Sequence, residues 1–130
     1  ALRAKGALRW LQLHRRGQSA ASWTLPPQRR SRLFLMKGYH DRFRQPLGDQ
    51  EVHFDQQVYG LRAESGIDDT VLAALMNSSW FQLCLELVAR VNFGDGVLWL
   101  GLTDARESLM LPDPRELNES QRDALRLIRY

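Results

Sequence analysis

Apolar positions recur at helical spacing over one long stretch, and the rest of the chain is organised around it. Val71, Leu72, Leu75 and Met76, then Trp80, Phe81, Cys84, Leu85, Leu87 and Val88, follow the three-to-four-residue rhythm of a largely buried helix. The run extends over about 22 residues and reaches Asn92. Asp68 and Asp69 suit its N-terminus, where carboxylates accept from free backbone N–H groups. Asn77, Ser78 and Ser79 interrupt it with short polar side chains that compete for backbone hydrogen bonds, and Ser79 stands in capping-box register with Gln82. Two abutting helices or one kinked helix, re-started at Ser79, are expected. Gly94-Asp95-Gly96 then turns the chain into the apolar segment Val97-Leu98-Trp99-Leu100, a strand inserted in a sheet.

The remaining pattern is shorter in wavelength. Residues 2–13 place Ala4, Ala7, Leu8 and Leu11 opposite Arg3, Lys5 and Arg9, which predicts a short basic amphipathic helix weakened by Gly6. Residues 18–31, with Trp23, Pro26-Pro27 and Arg29-Arg30, read as an exposed loop. Leu33 to Met36 is a strand candidate, Gly38 to Asp41 a turn, and Arg42-Phe43-Arg44 an alternating strand with both arginines on one face. Leu47-Gly48-Asp49 makes the next turn, and residues 52–59 alternate less regularly. Residues 104–108 can form a helical turn, Pro112 and Pro114 stop regular structure, and residues 118–128 form a terminal helix with Leu125 and Ile128 inward. The expected fold is α+β. It is one small antiparallel or mixed sheet, closed by residues 97–102 and packed against a long kinked or broken helix, with N- and C-terminal helices.

Composition narrows the class. The chain of 130 residues is 44% hydrophobic, enough for one core and too short for two ordinary domains, so residues 1–130 form a single domain. The lone Cys84 lies on the apolar helix face, which excludes an internal disulfide, reads as a small buried hydrophobe and suits a reducing, cytoplasmic compartment. No apolar run approaches the roughly 18 residues of a membrane span. Ala1 in place of a methionine fits a fragment or a processed chain. The acid-poor, Arg-rich start could also be a transit peptide, but the basic character continues past Arg44 into the folded region.

The net charge of +3 conceals a division along the chain. Residues 1–62 hold 12 Lys and Arg against 4 Asp and Glu, whereas residues 63–130 hold 6 against 11. Ten of the first twelve are arginine, which grips phosphate or guanine bidentately, so the basic half suits a polyanion such as nucleic acid. The competing expectation is that the two halves pair with one another on a solvated surface.

The segment from Leu72 to Leu100, followed by Leu109-Met110-Leu111-Pro112-Asp113-Pro114, resembles the C-terminal target-recognition region of adenine-specific DNA methyltransferases of restriction-modification systems. That family shares a Leu-Asn-Ser-Ser helix (Met76-Asn77-Ser78-Ser79 here), an Arg-x-Asn segment (Arg90-Val91-Asn92), a Gly-x-Gly turn and a closing Leu-x-Leu-Pro-Asp-Pro. Upstream, His14-Arg15-Arg16 with Trp23-Thr24-Leu25 and Asp55-Gln56-Gln57-Val58-Tyr59 resemble its opening and its Asp-(Asn/Gln)-x-x-Tyr strand. The resemblance covers residues 14–114. It implies a domain that holds a double-stranded target while a separate catalytic domain of the same parent chain transfers methyl from S-adenosylmethionine.

Catalytic chemistry is not expected in this chain. Pro26-Pro27 follows Leu25 and precedes Gln28, so it cannot serve as the family's Asn-Pro-Pro-Tyr motif, and Gly94-Asp95-Gly96 precedes a strand where a nucleotide-binding turn follows one. His14, His40 and His53 share no ligand spacing, so no metal is implied. Recognition remains. His14, Arg15, Arg16, Lys37, Tyr39, His40, Arg42 and Arg44 are expected on loops and strand ends facing DNA, with Arg15 and Arg16 foremost for bases and Arg29, Arg30 and Arg32 as phosphate anchors. Gln56 and Gln57 could pair bidentately with adenine or be ordinary strand polars, and Arg90 and Asn92 could touch DNA or cap helix carbonyls. Trp80 and Trp99 are assigned to the core, and Trp23 alone is free to stack on a partner. Two alternatives stay open: a basic protein-interaction module that never meets DNA, and a divergent enzyme domain whose site another chain completes.

Overall fold

A computed structural model describes the backbone of residues 11–13 and residues 30–93 and 96–128. The architecture is α+β, as the pattern predicts. Its strands, however, form two small antiparallel sheets rather than one.

The first sheet has β1 (Leu11–Leu13), β2 (Arg30–Met36), β4 (Leu47–His53) and β5 (Val58–Ala63) in the order β1-β5-β2-β4. Leu11–Leu13, expected to end a helix, instead pairs with Leu61, Arg62 and Ala63. β2 and β5 are the inner strands. Ser31, Leu33 and Leu35 are buried on one face, and Phe34 on the other is covered by Phe54, whose ring meets it edge-on at 5.7 Å. β4 and β5 both run antiparallel to β2, one on each side, with only residues 54–57 between them. That short return brings Phe54 over Gly60: a Cβ there would sit 2.3 Å from the Phe54 ring, so the position admits only glycine without a shift.

The second sheet joins β3 (Gly38–Tyr39), β7 (Val97–Trp99) and β6 (Arg90–Phe93), with β7 in the centre. The predicted apolar strand is thus found and is indeed inserted, but it closes a separate sheet. The two sheets meet at Lys37, whose carbonyl accepts from Leu100 N–H at 2.7 Å.

The long apolar stretch folds as α1 (Asp69–Met76) and α2 (Ser79–Val88), bent by 62°. Asp68 caps α1, accepting from Thr70 N–H at 2.8 Å. The break is made one residue earlier than expected. Ser78, not Ser79, caps α2: its hydroxyl donates to Leu75 O at 2.6 Å, closing one helix, and accepts from Phe81 N–H at 3.3 Å, opening the next. α1 is apolar all round and buried over residues 71–76, as befits a central helix. α2 buries Phe81, Cys84 and Leu85 and turns Trp80, Leu83 and Leu87 outward, so Trp80 is 52% exposed rather than core. The helix ends at Val88, not Asn92. Ala89 is already extended, and residues 90–93 form a strand that the apolar spacing alone could not distinguish from another helical turn.

α3 (Leu102–Glu107) follows β7, and a 3-10 turn at Pro114–Glu116 precedes α4 (Glu119–Arg126), which has a full capping box between Asn118 and Gln121. α4 lies against α1 but buries no residue. Leu125 is only half-buried, and Ile128, expected inward, is exposed. The core comprises Leu33, Leu35, Tyr39, Leu61, Leu72, Ala73, Met76, Phe81, Cys84, Leu85, Leu100, Ala105 and Leu109. Among the described residues no single helix is long and apolar enough to cross a membrane. The bent pair α1–α2 reaches the required length only together, and its first half is the core helix.

Candidate nucleic-acid interface

Of the basic residues expected to face DNA, Arg30 and Arg32 lie at the start of β2, and Lys37, Arg42 and Arg44 follow its end. At its start Arg30 is exposed and stands beside His53 across the β2–β4 pair. Arg32, one position inside, lies 3.2 Å from Asp69 Oδ2, with its Nε–H off the line of a hydrogen bond. Burial pushes the Asp69 carboxyl up more than Arg32 draws it down, which marks a partly desolvated pair of small net value. Arg32 is therefore occupied by the helix N-terminus rather than presented as a phosphate anchor.

At the far end of β2, Lys37, residues 40–45 and the 54–57 turn come together. The Lys37 ammonium donates to the Gln56 carbonyl and sits 4.5 Å from the centre of the Tyr59 ring. This contact fixes the turn that presents Gln56 and Gln57, both exposed, with Gln57 N–H held by Asp55 Oδ1 at 2.8 Å in an Asx turn. Tyr59 O–H donates to Leu100 O at 3.2 Å, tying this end to the second sheet, and burial raises its phenol, with Asp104 adding to the shift and Arg106 opposing it. Arg90 is drawn to the same neighbourhood by Asp104, at 2.9 Å. It therefore sits on a strand and pairs with a carboxylate instead of capping α2.

Residues 40–45 do not form the expected strand. They make an irregular loop in which His40, Asp41, Arg42 and Arg44 are exposed. His40 Nδ1 and Arg42 Nε approach Asp41 only at 3.7 and 4.0 Å, through solvent-exposed side chains, and Arg44 makes no ion pair among the described residues. Such loose contacts leave the cations available to an external anion. Tyr39 differs from its expected role: it is 2% exposed, stacks on Phe43 at 5.1 Å between ring centres, and has its phenol pushed up by burial. Its apolar body faces the core because β3 pairs it with Leu98. Tyr39 is therefore not available to a ligand, and it anchors the start of the exposed loop.

His14, Arg15, Arg16 and Arg29 lie outside the described residues, as does Trp23, and the Asn92 side chain is likewise not described. Of the expected contacts, Lys37 meets the turn that carries Gln56 and Gln57, Arg90 pairs with Asp104, His40, Arg42 and Arg44 are exposed on the 40–45 loop, and Arg30 and Arg32 lie at the opposite end of β2. Sequence reasoning missed Gln45, 1% exposed and buried beneath the loop, because a glutamine between Arg44 and Pro46 carries no periodic signal. It also read Asn77 only as a helix interruption. Among the described residues no cluster of His, Cys, Asp or Glu could hold a metal ion. Compared with protein-family models, curated proteins and solved structures, the chain matches none.

Proposed function

We propose that this chain is a DNA target-recognition domain of a restriction-modification adenine methyltransferase. It holds the duplex while a catalytic domain of the same parent chain, working in the cytoplasm, transfers methyl from S-adenosylmethionine. The observation that carries the reading is how charge is paired. Among the described residues, six acids of the second half pair with arginines of that half, Asp68 with Arg126, Asp104 with Arg90, Glu64 and Asp113 with Arg115, Glu119 with Arg122 and Arg126, and Asp123 with Arg126, while Glu86, Glu107 and Glu116 form no ion pair. Among the described residues only Arg32 with Asp69 crosses between the halves. The ion pairs of the acidic half are therefore made almost wholly within that half and leave Arg30, Arg42 and Arg44 for a polyanion. In this reading Lys37 and the Arg42–Arg44 loop supply phosphate contacts, and Gln56 and Gln57, on the turn that Lys37 holds, discriminate a base with their amide groups.

Fluorescence anisotropy of the chain with labelled duplex, titrated with salt, tests this. Log affinity should fall linearly with log salt, by about 0.9 per phosphate neutralised, and Arg44→Ala should shallow the slope by about one contact. Binding indifferent to salt, or no duplex retained from a random pool, would refute it. The exposed Trp80, Leu83 and Leu87 on α2 favour a second reading, a basic protein-interaction module without DNA binding. In the first reading that face is where the catalytic domain abuts. Retention of a protein partner by a chain that captures no duplex would select the second.

A further inference from the structure

The hydrogen bonds of the helix break reach beyond the helices. The Asn77 side chain accepts from Gln45 N–H at 2.9 Å and donates to Gln45 O at 2.9 Å, pairing with that peptide as a neighbouring strand would. The same Asn77 amide nitrogen donates to Ala73 O at 2.8 Å, a last-turn carbonyl of α1 that also accepts from Asn77 N–H at 3.0 Å. On its other side Gln45 turns inward, and its Oε1 accepts from Met36 N–H at 3.0 Å and from Tyr39 O–H at 3.4 Å. The loop 40–45 is thus gripped at both ends, by Tyr39 stacked on Phe43 at its start and by Gln45 at its finish, and only its charged side chains project.

We propose that Asn77 is a positioning residue for this cationic loop: it fixes the Gln45 backbone so that Arg42 and Arg44 are held in place before the ligand arrives. The inference rests on the proposed reading of a duplex for its functional consequence, but not for the clamp itself. No other side chain does the same work in that space. Aspartate lacks the donor, serine is too short to reach both Gln45 groups, and leucine leaves two buried peptide groups unpaired. A loop ordered in advance avoids losing side-chain and backbone freedom on binding, which amounts to about two- to tenfold in affinity for each immobilised side chain.

The test compares the full chain with Asn77→Ala and with Ser78→Ala, a control that weakens the helix cap without touching the loop. Amide hydrogen exchange should accelerate at Gln45 in Asn77→Ala and not in Ser78→Ala. Duplex affinity should fall about two- to tenfold with an unchanged salt slope in Asn77→Ala alone, because the phosphate contacts are the same in number and only less ordered. The effect of Arg44→Ala on affinity should shrink in the Asn77→Ala background, whereas a merely structural role leaves the two additive. Equal losses of affinity in Ser78→Ala, additive effects with Arg44→Ala, or unchanged exchange at Gln45 would overturn the proposal. If the unaltered chain does not bind duplex, the functional reading falls, and exchange at Gln45 still decides the clamp.

Discussion

Adding one methyl group at Gly60 probes how the two halves of the first sheet are brought together. The new Cβ would lie 2.3 and 2.4 Å from two Phe54 ring carbons and 3.1 Å from a third, where ordinary contact begins near 3.4 Å. The ring must swing away by about an ångström or more. It then gives up part of its edge-on contact with Phe34, an arrangement worth about 0.5–1.5 kcal/mol beyond burial, and overpacking of this kind costs about 1–3 kcal/mol in all. Removing a strand glycine returns about 0.5–1 kcal/mol of chain entropy, so Gly60→Ala should destabilise by a net of about 1–2 kcal/mol. Urea denaturation read by circular dichroism measures this as a shift of midpoint at constant slope. In a Phe54→Ala background the clash disappears, and the same substitution should become neutral or stabilising. A Gly60→Ala penalty of the same size with and without the Phe54 ring would refute the reasoning, since only their contact predicts the coupling.

Two further outcomes follow from other contacts. Burial raises Asp68, but the Arg126 guanidinium and Thr70 N–H outweigh it and hold its carboxyl below the usual carboxylate range. The stability it contributes is therefore present above about pH 3.9, its unfolded value, and is lost as pH falls through the lower folded value. Asp68→Ala should lose the cap as well, about 1 kcal/mol at neutral pH, whereas Asp68→Asn should keep the cap and differ from the unaltered chain only above that range; a difference that persists undiminished in strong acid would contradict the assignment. Trp80 and Phe81 are neighbours in sequence on opposite sides of α2: Phe81→Ala should cost about 3–5 kcal/mol by cavity formation and Trp80→Ser less than about 1, and a reversal of that order in denaturation midpoints would place the wrong side of α2 against the core.

The elements that could be read from the chain were those whose side chains repeat a local rhythm. α1, the break at residues 77–79, the buried Cys84 and the strand at residues 97–99 all follow from such spacing. The misjudged elements depend on contacts made far along the chain. Residues 90–93 continue the helical rhythm of α2 yet pair with β7 because Gly96, at φ +76°, permits the hairpin. Tyr39 looks exposed beside His40 and Asp41, but its pairing with Leu98 turns it inward. Division into two sheets is equally invisible, since it depends on β7 pairing with β3 and β6 instead of with the first sheet, to which it is joined through Leu100. For the candidate interface the sequence offers charge but not place: sorting Arg32 from Arg44 requires knowing that Asp69 stands next to one of them and that, among the described residues, no acid pairs with the other.

α4 buries no side chain, and Arg126 tethers it to the first turn of the central helix through Asp68, 2.9 Å away, with Asp123 and Glu119 sharing the same guanidinium. Mobile ions weaken exposed tethers of this sort without touching an oily core. A concentrated electrolyte should therefore undock the final helix while leaving both sheets intact. Part of any signal change seen on releasing a bound polyanion with salt will then come from this detachment, and a chain shortened before residue 119 would separate the two events.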